Sequence, residues 1–167
     1  MSLLVDVASA LGGARVEYAV VGGMAVLLHG HSRMTVDLDL ALSLDRDNLT
    51  AALGALEDLG LRPRLPVPST DFADEATRRS WVEERHLVAF TMHDPHDARR
   101  EVDLLAETRV PPEQLLADAV VMTVSGVPVR VVSLPHLIAM KERAGRPQDL
   151  ADVDALRRLH PDASAGP

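Results

Sequence analysis

The chain has 167 residues, of which 47% are hydrophobic and 25% are charged, a composition typical of one globular domain. It contains no cysteine, which excludes disulfide frameworks, cysteine-ligated zinc, iron–sulfur clusters and thiol catalysis. Its net charge of −8 argues against non-specific coating of nucleic acid, because such binding depends on neutralising many phosphates.

The location of the protein can be predicted from its apolar runs and its first residues. No apolar run approaches the roughly 18 residues needed to span a bilayer. The first residues, MSLLVDVASALGG, contain no basic segment and carry Asp6, which is atypical of a signal peptide. We therefore expect a cytoplasmic protein.

Three elements are predicted in the first 30 residues. Apolar residues at helical spacing predict a helix from Leu3 to Leu11. A short buried strand then ends at the glycine pair Gly22–Gly23, and the apolar stretch MAVLLHG predicts a short helix that begins at those glycines. The glycine pair is therefore expected at a strand-to-helix turn.

A second strand and a third helix follow in the sequence. The alternation over residues 36–42 predicts a strand whose apolar side chains, Val36 included, face the core. Asp45 can cap the next helix, which ends at Gly60. Over residues 62–80 the pattern is lost and three prolines occur, which predicts a loop or an irregular insertion.

Two hairpins and three helices are predicted in the remaining sequence. Strands over residues 86–92 and from Arg100 are expected to pair, and a second hairpin is expected around Ser125–Gly126. The first helix is predicted to open at Pro111–Pro112 and to run through Ala117, and the other two are predicted over residues 134–144 and from Pro147 onward. We therefore expect an α+β fold with a small mixed sheet flanked by helices, together with a C-terminal β-hairpin and helices.

The domain organisation predicted from these elements is simple. Residues 1–160 are expected to form a single domain, with a core over 14–110 and a completing segment over 111–160. Residues 161–167 are expected to be a flexible tail.

Three carboxylates could carry chemistry. Asp37 and Asp39 lie two apart on a predicted strand, so both side chains leave the same face, and they repel each other unless a cation lies between them. Oxygen-only ligands favour Mg²⁺ or Mn²⁺. If the predicted strand of Asp103 is a neighbour, the three could hold two metals about 3.5–4 Å apart for in-line displacement at phosphorus. A half-exposed edge strand would show the same spacing, so spacing alone leaves both interpretations open.

The glycine pair Gly22–Gly23 suits the same chemistry. Glycine lets the backbone approach a phosphate closely, and a helix N-terminus offers free N–H groups to an anion. A plain strand-to-helix turn would also contain such a pair. The combination of strand, glycine pair, short helix and D-x-D strand is more specific than any one of its parts.

This combination resembles the DNA polymerase beta-like nucleotidyltransferase superfamily. The signature of that superfamily matches Val21-Gly22-Gly23, followed after thirteen residues by Asp37-Leu38-Asp39-Leu40, and Asp103 matches its third acidic residue. The resemblance implies that Asp37 and Asp39 hold Mg²⁺ or Mn²⁺. It also implies that Asp103 completes the metal site and orients or deprotonates a hydroxyl that attacks the α-phosphate of an NTP, releasing pyrophosphate.

A later segment resembles the closing motif of one branch, which contains the toxin component of the AbiE system and related bacterial nucleotidyltransferases. Lys141, Arg146 and Asp149 fit that motif, and the matching motifs run from residue 18 to residue 156. The resemblance implies that the Gly22–Gly23 backbone cradles the phosphates. It places Arg33 and Thr35 where they contact phosphate or hold the turn.

The predicted phosphate site lacks a common hydroxyl residue and contains a single lysine. Many members of the superfamily have a hydroxyl residue at or just after the second glycine, whereas Gly23 is followed here by Met24, so backbone amides and basic side chains are expected to grip the phosphates. Lys141 is the single lysine among 17 basic residues. We expect it to point at the phosphates, with Asp149 holding Lys141 or Arg146. A solvated lysine on a helix surface is the alternative.

The sequence therefore predicts a metal-dependent nucleotidyltransferase that acts on tRNA, a protein hydroxyl or a small molecule, with a possible cognate antitoxin as partner. One alternative is a catalytically weak member that acts as a binding or regulatory module within a toxin–antitoxin pair. A metal-dependent nuclease is a third possibility, but it gives the glycine pair no role.

Overall fold

A computed structural model describes residues 2–108 and 110–161, and within these ranges the chain forms eight helices and seven strands. The helices are α1 (Leu3–Gly13), α2 (Gly22–Leu28), α3 (Arg46–Asp58), α4 (Thr70–Ala73), α5 (Glu75–Arg85), α6 (Pro112–Ala117), α7 (Leu134–Ala144) and α8 (Pro147–Leu159). The strands are β1 (Tyr18–Val20), β2 (Leu38–Leu42), β3 (Arg62–Pro63), β4 (Ala89–Asp94), β5 (Asp97–Leu105), β6 (Val120–Val124) and β7 (Val127–Val131). The predicted flexible tail lies outside the described residues from position 162 onward.

All seven strands of the described ranges form one mixed sheet in the order β3-β4-β5-β2-β1-β7-β6. The β2–β5 and β1–β7 pairs are parallel, and the other pairs are antiparallel. Helix α1 packs against α3 and β7, α2 packs against β2, and α7 packs against α8. The predicted mixed sheet with flanking helices and both predicted hairpins are confirmed. No helix in the described part of the chain has the length and apolar character to cross a membrane.

Apolar and acidic residues alternate along β2 and β5, so each strand buries its apolar face in the core. Leu38, Leu40, Val102 and Leu104 are at most 1% exposed, whereas the aspartates between them are half-buried. Because side chains alternate along a strand, the leucine and valine face anchors the strands and turns the acidic positions to the opposite face.

The expected start of the second strand is wrong. β2 begins at Leu38, so Asp37 precedes the strand, and Val36 is 61% exposed rather than core-facing. The pairing of β2 with β5 begins at Leu38, opposite Val102. The segment before Leu38 instead carries the Thr35 side chain to the turn at the start of α2, which draws the chain away from the sheet.

The irregular segment expected over residues 62–80 is also wrong in part, because α4 and most of α5 lie within it. Asp74 caps α5 by accepting a hydrogen bond from the Thr77 backbone N–H at 2.9 Å. The helix buries only Arg78 and Trp81, so its sequence has almost no apolar stripe to predict it. Trp81 holds it to the sheet by stacking on Phe90 at 5.9 Å between ring centroids.

Candidate active site

Two of the three candidate carboxylates lie side by side on the sheet. Asp39 of β2 and Asp103 of β5 are direct partners in the parallel register, so their side chains leave the same face on neighbouring strands. Asp37 is exposed and lies one residue before β2. The structure therefore places a carboxylate pair on adjacent strands and a third carboxylate at the entrance of one of them.

The electrostatics of this face are those of crowded negative charge. Burial, followed by the charges of Asp103 and Asp37, raises the pKa of Asp39 from 3.8 to about 6. The Gly23 backbone N–H and the Lys141 charge lower it, but they do not offset the other three effects. Asp39 is consequently a carboxylate that a nearby cation would stabilise strongly in its charged form.

The glycine turn fits closely around the first carboxylate. Gly22 has φ +62°, which favours glycine, and a Cβ at this position would overlap Oδ2 of Asp39. A Cβ on Gly23 would lie 2.6 Å from Oγ1 of Thr35 and would also overlap the Arg33 guanidinium. The space that a side chain at position 23 would fill is thus taken by Thr35 and Arg33.

This packing changes the expectation that no hydroxyl is available at the turn. Met24 contributes none, but the Thr35 hydroxyl reaches the second glycine from the segment before β2. Sequence spacing could not show this, because Thr35 is twelve positions away and only the fold returns it to Gly23.

Lys141 is buried, with a side chain 7% exposed, so the solvated alternative is wrong. Its ammonium donates to Oδ1 of Asp149 at 2.9 Å and pairs with Oδ2 of Asp152 at 2.7 Å. Arg146 reaches Asp149 from the other side at 2.6 Å, and Arg33 lies 3.5 Å from Asp152. These residues form a charged network that ties α7 and α8 to the segment before β2.

The network shifts the pKa values of Asp149 and Arg146. Burial works to raise the pKa of Asp149, but the hydrogen bonds and charges of Arg146 and Lys141 lower it overall. The same hydrogen bond from Arg146 to Asp149 raises the pKa of the arginine. Asp152, which is fully buried, is the member that sequence analysis missed. Its place one turn after Asp149 on α8 was the available signal.

A cavity of about 150 Å³ lies between the network and Asp39. The candidate residues that line it are Gly22, Asp39, Lys141, Arg146 and Asp149, together with Leu105, Leu137 and Met140 as apolar walls. Larger depressions elsewhere on the surface do not adjoin the acidic pair. The candidate residues Gly23, Arg33, Thr35, Asp37 and Asp103 do not line this cavity. Asp103 lies beside Asp39 in the β2–β5 register, and Thr35 and Arg33 lie against Gly23.

Thr91 of β4 is another residue that the sequence did not single out. It lies directly opposite Asp103 in the antiparallel β4–β5 register, and its hydroxyl donates to Oδ1 of Asp103 at 2.6 Å. Asp103 therefore has a like charge on one neighbouring strand and a hydrogen-bond donor on the other.

The donors present fit a divalent cation by their chemistry. Asp39, Asp103 and Asp37 offer only oxygen ligands. The pKa of Asp39 is raised first by burial and then by the charges of Asp103 and Asp37, and a cation beside the carboxylate would offset both effects. Among residues 2–108 and 110–161, no three acidic or histidine side chains are yet gathered closely enough to form a ready-made metal site. A cation held here would have to draw Asp37 toward the pair.

The mixed sheet, with a register pair of aspartates beside a glycine turn, agrees with the nucleotidyltransferase fold that the sequence resemblance implies. The chain matches the family of nucleotidyl transferase AbiEii toxins of type IV toxin–antitoxin systems over residues 6–165. It therefore belongs to this family, and the resemblance found in the sequence is confirmed. Membership implies an NTP substrate and a cognate antitoxin. No curated protein matches the chain.

Solved structures share the fold. An antigenic nucleotidyltransferase-like protein from Paracoccidioides brasiliensis is 21% identical with a TM-score of 0.57, over 95% of this chain and 76% of that one. The antibiotic-resistance factor ANT(2'')-Ia is 15% identical with a TM-score of 0.58, over 96% and 82%. The lincosamide antibiotic adenylyltransferase LnuA is 15% identical with a TM-score of 0.56, over 90% and 92%.

Proposed function

We propose that the protein transfers a nucleoside monophosphate from an NTP to a hydroxyl acceptor in the cleft beside Asp39 and Asp103, with Mg²⁺ or Mn²⁺ as cofactor. The observation that carries this proposal is the register pairing of Asp39 with Asp103 next to the glycine turn. Asp39 of this pair lines a cavity together with Lys141 and Arg146, and cationic side chains beside a carboxylate pair suit a phosphate-bearing substrate. Family membership supports the same reaction.

The residues of the chain divide the work of binding and proton transfer. The acceptor oxygen forms a bond to the α-phosphorus while the bond from that phosphorus to pyrophosphate breaks. Asp103 orients the acceptor hydroxyl and takes its proton, while Arg146 and Lys141 face the phosphates from the cavity wall. Asp37, Asp39 and Asp103 would hold a divalent cation, which would supply charge stabilisation to the phosphates.

The glycine turn has a separate role in this proposal. Thr35 and Arg33 lie over Gly23, where a hydroxyl and a guanidinium can both meet a phosphate oxygen. Arg33 forms an ion pair with Asp152, which also pairs with Lys141. In this proposal, Arg33 at the turn and Lys141 in the α7–α8 network both direct positive charge at the same substrate.

The net charge and the fold both bear on the class of acceptor. A net charge of −8 disfavours a large RNA footprint, so an RNA acceptor would enter by a short segment such as a 3′ end. The structures of similar fold include a lincosamide antibiotic adenylyltransferase, and a small hydroxylated molecule is a second acceptor class. A protein hydroxyl is the third.

The test is nucleotide transfer into a fractionated cell extract. The protein is incubated with each labelled NTP, Mg²⁺ or Mn²⁺ and separate RNA, protein and small-molecule fractions. We expect label in one fraction, with loss of at least a hundredfold in Asp39→Asn and Asp103→Asn. Asp154→Asn, which changes an exposed aspartate on α8, is the matched control and should transfer like the wild type. Equal labelling by all four proteins would overturn the proposal.

A further inference from the structure

We propose that Thr91 is a positioning residue that holds Asp103 in its working orientation. This inference rests on the proposed function. Thr91 and Asp103 are direct partners across the antiparallel β4–β5 pair, where same-face side chains lie about 4.5–5.5 Å apart. The 2.6 Å hydrogen bond from the Thr91 hydroxyl is short, as expected for a donor that meets a carboxylate.

The hydrogen bond decides which way the Asp103 carboxylate turns. A hydroxyl has one proton to donate, and here it goes to Oδ1 of Asp103, which draws that oxygen toward β4. Asp39 lies on the opposite side, on β2. The bond therefore holds Oδ1 on the β4 side, away from the like charge of Asp39, and leaves Oδ2 as the oxygen that would meet a cation.

Thr91 is well anchored for this role. Its β-branched side chain has restricted χ1 freedom in a strand, so the hydroxyl direction is largely set by the backbone. Its carbonyl accepts a hydrogen bond from the Arg64 backbone N–H at 2.9 Å, which ties β4 to the segment after β3. On the other side of the Asp103 strand, β2 fixes Asp39 in register.

Outer partners that orient a ligating carboxylate commonly change metal affinity or activity about 10–100-fold when removed. The variant Thr91→Val keeps the shape of the side chain and removes the hydroxyl, and Thr91→Ser keeps the hydroxyl. Thr123→Val removes an exposed hydroxyl from β6 and is the matched control.

The measurements are Mn²⁺ affinity without nucleotide, the urea midpoint of unfolding, and kcat and KM for transfer. We expect Thr91→Val to weaken Mn²⁺ binding and kcat about tenfold or more, with KM for NTP changed less than threefold. Urea unfolding should remain a single cooperative transition, with a midpoint lowered no further than the loss of one hydrogen bond to a charged group explains. Thr91→Ser should remain within threefold of the wild type, and Thr123→Val should match it.

The outcomes separate this inference from the proposed function. Unchanged Mn²⁺ affinity in Thr91→Val, an equal loss in Thr91→Ser, or no Mn²⁺ binding by the wild type would overturn the positioning role. If the wild type binds Mn²⁺ but transfers no nucleotide, the proposed function fails, and the Mn²⁺ affinities of the variants still decide the role of Thr91.

Discussion

At the scale of single residues, Asp39 is held at a cost to the stability of the folded protein. Its pKa is raised from 3.8 to about 6, so the folded state binds the extra proton between these values. Stability therefore falls as pH rises through this interval and stays lower above pH 6, by about 3 kcal/mol at most.

We predict that Asp39→Asn stabilises the protein by about 1–3 kcal/mol at pH 8 and hardly at all below pH 3.8, because the asparagine carries no charge to desolvate. Urea unfolding in EDTA at a series of pH values measures this difference. The same variant should lose metal-dependent NTP binding. A destabilised or unfolded Asp39→Asn protein would show that the carboxylate has a structural role instead.

Unlike Asp39, which lies beside like charges, Lys141 is a buried charge that is paired with opposite charges. Removal of the ammonium in Lys141→Ala would leave Asp152, which is fully buried, without its closest cation at 2.7 Å. We expect a loss of about 3–5 kcal/mol in the free energy of unfolding, measured by urea titration.

Two further variants test this explanation. The double variant Lys141→Met with Asp152→Asn should recover part of the loss, because the buried ammonium and the buried carboxylate are removed together and Asp149 keeps Arg146. Arg33 loses its ion pair with Asp152, but its side chain is 23% exposed and reaches water. Arg157→Ala breaks an exposed ion pair with Glu142 between the same two helices and should cost less than about 1 kcal/mol. Equal losses in Lys141→Ala and Arg157→Ala would contradict the buried-pair explanation.

At the scale of elements, the β1–α2 turn can be tested through Gly22. Gly22→Ala places a Cβ against Oδ2 of Asp39 at a residue with φ +62°. We predict a stability loss of about 1–2 kcal/mol and at least a tenfold loss of NTP affinity, since the carboxylate must move. Gly12→Ala in α1, where a Cβ meets nothing within 4 Å, should leave NTP affinity unchanged. Wild-type NTP affinity in Gly22→Ala would exclude the turn from the site.

Elements with a strong pattern were predictable, and those without one were not. The sequence itself shows the apolar–acidic alternation around Asp39 and Asp103. It also shows the glycine that ends α7, and Gly145 does end that helix in the left-handed conformation. The helix α5 was missed because it buries only Arg78 and Trp81. Thr91 was missed because its relation to Asp103 is a cross-strand register, which a single sequence does not reveal.

At the scale of the whole molecule, the C-terminal third of the chain completes the sheet that carries the site. β7 pairs in parallel with β1 through Val20 and Val131, so β1 lies between β2 and β7 and is not an edge. Arg130 also donates to the Tyr18 carbonyl at 3.1 Å. The helices that supply Lys141 and Asp149 follow directly after β7. The segment that contains β7, α7 and α8 therefore completes both the sheet and the candidate site.

We predict that a fragment comprising residues 1–110 does not fold by itself. Without β7, the fully buried strand β1 would become an exposed edge, and the apolar side chains that contact the C-terminal third would meet water. Circular dichroism during urea titration should show a cooperative transition for the intact chain and none for the fragment. Added residues 111–161 should restore the transition if the two parts reassociate through the β1–β7 pair. A cooperative transition in the isolated fragment would show instead that residues 111–161 form a separable unit, and that the acidic pair can be positioned without α7 and α8.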